Sequence, residues 1–369
     1  MPEIWLNYGS TDIIVDLRVE NLSPIENPKF DIIDDEILND EIKSIRIEDT
    51  TTIVPLDTSN STIQLVSRLI ALAESKGIKL SIGSTAKIRK QLSKKLQNQS
   101  IGIFENNVEY LQNLLNDENT IFVSKTNIDP FFGYSGTPVT LLREFEKDKM
   151  NEAFQSRTDN LPHPALIGPP IEVANKLCEG MNAKSIEIIS KNSGINSIFY
   201  GDILDSFCGA IKKTENLSIE HEQDIKSLIV GTNIDTNSSS TLSGSLSLLW
   251  NSINFLKRNA IVVIVSENNK GFGAKAIENL AFGELKSEDY ENFTYVDGLE
   301  HVMFLDELRD KFDMAILSSL PKYYLHQIFG LEVFSNIQEA AEKILRMNGK
   351  SHRISIIQDP NIAILRKHD

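Results

Sequence analysis

The chain has 369 residues, 41% of them hydrophobic and 24% charged, which is material for a sizeable packed core and excludes a disordered polymer or a fibrous repeat. At about 150 residues per domain, this length predicts two domains. The 52 acidic and 37 basic residues give a net charge of −15, a field that repels phosphate backbones and anionic lipid, so neither nucleic acid nor a membrane surface is an expected partner.

No apolar stretch approaches the ~20 residues that span a bilayer, and Met1-Pro2-Glu3-Ile4-Trp5 lacks a basic run followed by an apolar one, so a cytoplasmic protein is expected. The two cysteines, Cys178 and Cys208, fall in apolar helical patterns with no second thiol or histidine at metal-ligand spacing, and read as structural thiols.

Along the chain, the alternation in TDIIVDLRV after Tyr8-Gly9 predicts an opening strand or hairpin, and the acidic stretch 28–50 a surface helix. From Ile53 to Ile82 runs the first clear strand–helix–strand unit: TTIVPL, a loop at Asp57–Ser61, an amphipathic helix with Ile63, Val66, Leu69, Ile70 and Ala73 on one face, Gly77 as its stop, and IKLSIG. A second unit follows with helix 86–97, SIGIF, helix 107–116 and TIFVSKT. Lys87, Arg89, Lys90, Lys94 and Lys95 form a dense basic run at helical spacing, read as a solvated helix face.

After DPFFGYSGTP come helix 138–150, the Pro- and Gly-rich HPALIGPP, helix 170–180, strands KSIEIIS and SIFYG, and helix DILDSFCGAIKK. Near His221–Gln223 the alternation restarts with DIKSLIVG, a Ser-rich loop over 236–247, a helix LSLLWNSINFLKRN, strand AIVVIVS, the turn ENNKGFG and a helix AKAIENLAFG. Strand DMAILSS, a helix, LEVFS and the helix NIQEAAEKILRM complete it. The expected fold class is α/β, with two domains of mostly parallel sheets flanked by helices: residues 1–222, then a smaller Rossmann-like domain over 223–351. RISIIQD and IAILRK, around a turn at Asp359-Pro360-Asn361, are expected to return over 352–369 to the first domain.

Loops after parallel strands gather at one sheet edge, so Asp57–Ser61, Gly83–Thr85, Asp129–Pro138, Thr236–Ser247 and Glu267–Gly273 are expected to converge on an interdomain cleft. FFGYSGTP reads either as an anion-binding turn before a helix, with Tyr134, Ser135 and Gly136 as donors, or as a tight strand-to-helix turn. SENNKGFGAKA likewise places Lys270, Gly271 and Gly273 between a strand and a helix, but it has no third glycine for a dinucleotide fingerprint. His163, His221, His301, His326, His352 and His368 include no pair at i, i+3 or i, i+4, and read as surface or structural side chains. Ser-His-Asp, H-E-x-x-H and Walker patterns are absent.

Tyr8-Gly9, Asp57, Gly83, Gly133-Tyr134-Ser135-Gly136, Tyr200-Gly201-Asp202 and Lys270-Gly271-Phe272-Gly273 fall in an order and spacing that resembles the nickel-pincer lactate racemases over nearly the whole chain. That resemblance implies a two-domain fold with the site between the domains. The chain departs from the family pattern at its chemical positions. Asn60 stands where the family has a substrate-binding Arg, Thr85 and Asp129 where it has His, and Val139 where a Lys tethers the pincer. No His occurs near Phe154–Arg157, and Ser243–Ser247 replaces an expected Gln and Lys.

Abstracting hydride from a 2-hydroxy acid needs a base, a cation for the carboxylate and an anchored acceptor, none of which Thr85, Asn60 and Val139 supply. The expectation is therefore a racemase-like protein with no metal site and without the nickel pincer nucleotide, binding a small polar or anionic ligand through Asn60, Thr85, Tyr134, Ser135, Gly136, Lys270, Gly271 and Gly273. The alternative is a divergent isomerase acting on a hydroxy acid, with a non-covalent cofactor or with Asp57 and Asp129 as acid and base.

Overall fold

The computed structural model describes residues 3–23, 30–96, 100–103, 108–191, 194–217, 219–221, 225–231, 240–286, 294–357, 360 and 365–367. Of the predicted features, the junction residues 222–224, residues 236–239 of the Ser-rich loop, Asp359, Asn361 and His368 lie outside the described residues.

Glu3–Tyr8 (β1) and Thr11–Asp16 (β2) form a hairpin that turns at Gly9, where φ is +62°. Leu22–Ser23 (β3) and Asp35–Lys43 (α1) follow. Then the predicted alternation sets in: Thr52–Pro55 (β4), Asn60–Ser75 (α2), Ser81–Ser84 (β5), Ala86–Lys95 (α3), Ile101–Ile103 (β6), Val108–Asn116 (α4) and Thr120–Lys125 (β7). Helix α2 opens where the Ser59 hydroxyl accepts from Thr62 N, and stops at Gly77, whose φ of +71° ends the helical run. Asn127–Asp129 (β8) and Gly133–Ser135 (β9) pair as a second hairpin. The single helix expected over 138–150 is two, Thr137–Phe145 (α5) and Lys147–Gln155 (α6), because the backbone leaves helical geometry at Glu146. Pro169–Cys178 (α7), Lys184–Lys191 (β10), Gly194–Asp202 (β11) and Ile203–Glu215 (α8) complete this half.

The second half comprises Ile219–His221 (β12), Ile225–Val230 (β13), Leu242–Trp250 (α9), Leu256–Val265 (β14), Lys275–Ala281 (α10), Leu299–Leu308 (α11), Asp313–Leu317 (β15), Glu332–Val333 (β16), Ile337–Asn348 (α12), Ile354–Ile357 (β17) and Leu365–Lys367 (β18). Here LKRN, expected as helix, belongs to β14 after a short 3-10 turn at Ile253–Phe255.

Two six-stranded sheets organise these elements. The first has the order β11-β10-β7-β4-β5-β6 and is parallel except for β11, which runs against β10. The second has the order β16-β15-β14-β13-β17-β3 and is parallel throughout. One face of the first sheet packs Ile53, Ile121, Val123, Ile186 and Ile188 against Leu65, Val66 and Leu69 of α2. Its other face is continuous with the second unit: Phe122, Phe132, Val139 and Phe207 share one buried cluster with Leu228, Trp250, Val262 and Phe304.

The return of residues 352–369 to the first domain is corrected. Strand β17 lies between β13 and β3 in the second sheet, and β18 pairs with β12. Ile354, Ser355 and Ile357 are all buried, as befits a strand covered on both faces, and without β17 the inner strand β13 would become an open edge. The opening stretch also belongs to this sheet, since β3 is its edge strand and Leu6, Val15 and Leu17 pack against Ile229, Ile261 and Val263. The first sheet itself begins at β4.

Candidate functional site

The two units meet along a polar cleft held together by side chains from both. Arg143, on α5, reaches across to donate to Glu300 Oε1 on α11 at 2.7 Å and to the Tyr295 hydroxyl at 3.1 Å, and it also pairs with Asp129 at 3.4 Å. Its guanidinium lies 4.9 Å from the Phe132 ring centroid. Tyr295 in turn donates to Glu300 Oε2 at 2.8 Å, so both oxygens of this buried carboxylate are taken. Burial alone would raise the Glu300 carboxyl, but Arg143 and His301 outweigh it and hold the group below its ordinary value. Burial and the negative charge of Glu300 push the Tyr295 phenol well up, against the opposing pull of Arg143. Asn251 Nδ2 donating to Ile128 O at 3.2 Å, and Tyr295 N donating to Asn151 Oδ1 at 2.9 Å, add two further ties between the halves.

Beside this brace lies a cavity of about 380 Å³. From the first unit its wall takes Lys87, Asp129, Pro130 and Arg143. From the second it takes Thr241, Ser243, Gly244 and Ser247 at the start of α9, Gly273 and Ala274, and Asp297, Gly298, Glu300 and His301. An adjoining space of about 430 Å³ shares Lys87, Arg143 and Asp297 and adds Lys147 and Lys275. Lys87 is exposed and pairs with Glu144 at 2.6 Å, so one residue of the basic run, on its solvated helix face, also lines the cavity.

Of the predicted site residues, only Asp129 and Gly273 lie on this wall. Asp57 instead holds its own turn together. Its Oδ1 accepts from Ser59 N and the Thr62 hydroxyl at 2.8 Å each, and its Oδ2 accepts from Lys125 N at 2.8 Å. Asp129 accepts from Phe131 N and Phe132 N and pairs with Arg143. The expected pairing of Asp57 and Asp129 as acid and base is therefore corrected: the cavity wall has only Asp129, and both are engaged as acceptors, Asp57 by its own loop and Lys125 N of β7, Asp129 by its own loop and Arg143.

Asn60 is exposed and takes a hydrogen bond from Lys95 Nζ at 3.0 Å, while Thr85 is buried before α3. Tyr134 is fully buried in the core, and the Ser135 hydroxyl approaches Asn127 O at 3.5 Å within the β8–β9 hairpin. FFGYSGTP is thus a structural turn. Gly136 is required there because a Cβ would lie 2.5 Å from the Phe207 ring and 2.9 Å from Glu187 Oε2.

The Lys270–Gly273 turn is a clamp. Gly271 O and Phe272 O accept from Leu242 N and Ser243 N, while Thr241 accepts from Gly244 N at its hydroxyl and from Ser245 N at its carbonyl. The first four N–H groups of α9 are all used in this way, and Lys270 N and Gly271 N donate to Ser240 O and Asn268 O. The start of α9 therefore offers a ligand its side-chain hydroxyls rather than its backbone N–H groups. Gly273 itself needs the left-handed conformation, φ +88°, and a Cβ there would lie 2.4 Å from Ser243 Oγ.

Among the wall residues that sequence reasoning missed are Arg143, Asp297, Glu300 and His301. His301 is 6% exposed and accepts from the Trp250 indole at 3.0 Å. Helix α11, which carries it, was not predicted, because its residues are buried almost all round and show no amphipathic stripe.

Fold and cleft together define a class: a two-sheet α/β protein with a polar cavity between its halves. No family model matches the sequence, and no curated protein matches it. Among solved structures, the lactate racemase apoprotein from Thermoanaerobacterium thermosaccharolyticum is similar over 99% of this chain and 100% of that one, with TM-score 0.73 and 13% identity. A Thermotoga maritima protein of known crystal structure is similar over 90% of this chain and 97% of that one, with TM-score 0.57 and 11% identity. At such identities the likeness establishes the lactate racemase fold.

The residues present do not fit a nickel pincer. Val139, on or near which the sequence resemblance places the tether, is 1% exposed within the core, and Phe154 is likewise buried and stacks on Phe131 at 5.7 Å. Neither offers an amine or an imidazole.

Proposed function

We propose that the protein binds a small polar or anionic organic molecule in the cleft between its two sheets, and does so without nickel-pincer chemistry. The observation behind this reading is the cavity of about 380 Å³, whose walls come from both halves and carry an ammonium at Lys87, hydroxyls at Thr241, Ser243 and Ser247, and an imidazole at His301. Its volume is within the range of small-molecule sites. The likeness in fold to a lactate racemase makes short hydroxy and keto acids the first candidates.

The test is thermal unfolding in the presence of D-lactate, L-lactate, pyruvate, oxalate and malate. A ligand present at a hundred times its Kd stabilises by about 2.7 kcal/mol, a rise easily seen in the melting curve. Lys87→Glu, which reverses the charge at that position, should weaken a responding acid at least tenfold. A panel without any response would count against the reading. So would a response unchanged by Lys87→Glu.

A further inference from the structure

Among the described residues His301 is the only histidine on the cavity wall, and the brace between the halves makes no use of it. It is the third residue of α11 and is almost entirely buried. The indole N–H of Trp250, itself fully buried, donates to His301 Nδ1 at 3.0 Å. An indole nitrogen donates and never accepts, so the Nδ1 lone pair is committed to this bond and Nδ1 carries no proton. The hydrogen of the neutral ring is then on Nε2.

The orientation of the ring follows from its two edges. Nδ1 is turned to Trp250 in the core. The Cδ2 atom, bonded to Nε2, faces Gly298, where an added Cβ would lie 3.6 Å from it, and Gly298 lines the cavity. The Nε2 edge is therefore the edge turned toward the cleft.

The charged groups that act on the ring are Glu300 beside it on α11, Asp297 in the preceding loop, Asp129 from the β8–β9 hairpin and Arg143 from α5. Burial first, and then Arg143, favour the neutral imidazole, against the three carboxylates. Glu300 is already occupied by Arg143 and Tyr295.

We propose that His301 is the donor through which the cleft recognises its ligand: a neutral imidazole, fixed by Trp250 as its Nε2–H tautomer, that donates a hydrogen bond to a carboxylate or carbonyl oxygen of a small organic acid. The proposal rests on the reading that the cleft binds such an acid. Trp250 acts through His301 and is a positioning residue. A fixed neutral donor selects oxygen acceptors and discriminates against ammonium groups, which have hydrogens but no lone pair to offer.

Two measurements test it, the first independent of any ligand. In protein labelled with ¹⁵N at histidine, long-range ¹H–¹⁵N correlations distinguish the two neutral tautomers from the cation, and loss of one signal set in His301→Gln assigns the ring. At pH 7 the expected pattern is a protonated Nε2 and a bare Nδ1. Trp250→Phe, which removes the indole donor but keeps an aromatic ring, should populate both tautomers. A protonated Nδ1 in the wild type would overturn the proposal whatever the variants do.

The second measurement titrates oxalate, pyruvate and L-lactate into the same sample. Binding should move the His301 Nε2 proton resonance. His301→Gln, which retains an N–H donor near the Nε2 position, should keep affinity within about threefold, whereas His301→Phe should lose about tenfold. Equal losses in the two variants would mark a packing role and overturn the proposal. A probe that binds while leaving the His301 signals unmoved overturns this inference alone, whereas a protein that binds none of the three overturns the cleft-binding reading and this inference with it.

Discussion

Glu187, on β10, offers the sharpest test of how the first unit is stabilised. Its carboxyl is fully buried beneath Gly136, accepting from the Thr126 hydroxyl at 2.7 Å and from Thr137 N, at the start of α5, at 3.0 Å. Burial raises its pKa from 4.5 to about 7; the hydrogen bonds from Thr137 and Thr126 oppose that rise, and the nearby charge of Asp57 adds to it. A carboxyl with a raised folded-state pKa favours the protonated form in the fold. Its contribution to stability is thus fully present below 4.5 and is lost as the pH climbs to about 7. Each pH unit between those values is worth about 1.4 kcal/mol, so the loss amounts to roughly 3 kcal/mol.

Glu187→Gln stays neutral throughout and keeps an acceptor for Thr137 N. Urea unfolding at pH 5, 6, 7 and 8 should show the wild type losing about 2.5 kcal/mol relative to the variant across that range, most of it between pH 5 and 7. Parallel pH profiles for wild type and Glu187→Gln would refute the reasoning, because the titrating group would then lie elsewhere.

Other expectations follow from the same coordinates. Arg143→Met leaves the Glu300 carboxylate buried without its cation and should cost about 3 kcal/mol in urea unfolding, with Arg143→Met/Glu300→Gln recovering part of the loss; a single variant as stable as wild type would contradict the brace. Gly273→Ala forces a side chain into the left-handed region and against Ser243, and should destabilise by about 1–3 kcal/mol, read as a lowered melting temperature. Burial pushes the Cys178 thiol up to about 12, whereas Cys208 is exposed. Ellman's reagent at pH 8 should therefore titrate one thiol in the native protein and both in urea; two rapid native thiols would show that α7 opens readily. Co-expression with pincer-building enzymes should yield no lactate racemisation, and detectable interconversion of D- and L-lactate would mean that the tether position was misassigned.

Much of the first sheet was legible because its strands and helices alternate with intact stop signals. Val66, Leu69, Ile70 and Ala73 sit at helical spacing before Gly77, which is the observed stop, while the helix begins at Asn60, one residue before the expected Ser61. Legibility failed where burial is complete. In α11, Leu299 and the run from Val302 to Leu305 are buried all round, so no periodicity marked the helix that carries His301. In the stretch before β14, the apolar residues Ile253 and Phe255 extended the helical pattern of α9 past its real end at Trp250.

Asp57 was misread for a different reason. An Asp followed by Thr58, Ser59 and Thr62 has the donors for a self-contained turn, and local hydrogen bonding won over exposure to the cleft. The placement of β3 and β17 side by side was out of reach, since pairing between Leu22 and Ile354 leaves no local trace in either segment.

That pairing bears on how the protein is made. The strands of the first sheet all lie between Thr52 and Asp202, so the ribosome can release that sheet as a finished body while later strands are still being synthesised. The second sheet has no such freedom. Its edge strand β3 is among the first segments to emerge, yet its partner β17 emerges only after α12, and until then Leu22 and Ser23 have no neighbour and β13 stands open on one side. A nascent chain of this kind carries an exposed strand edge through most of its synthesis, the condition under which chaperones earn their place. Slowing translation after Asn348 should therefore lengthen the window for aggregation, whereas a pause between the two halves should be harmless.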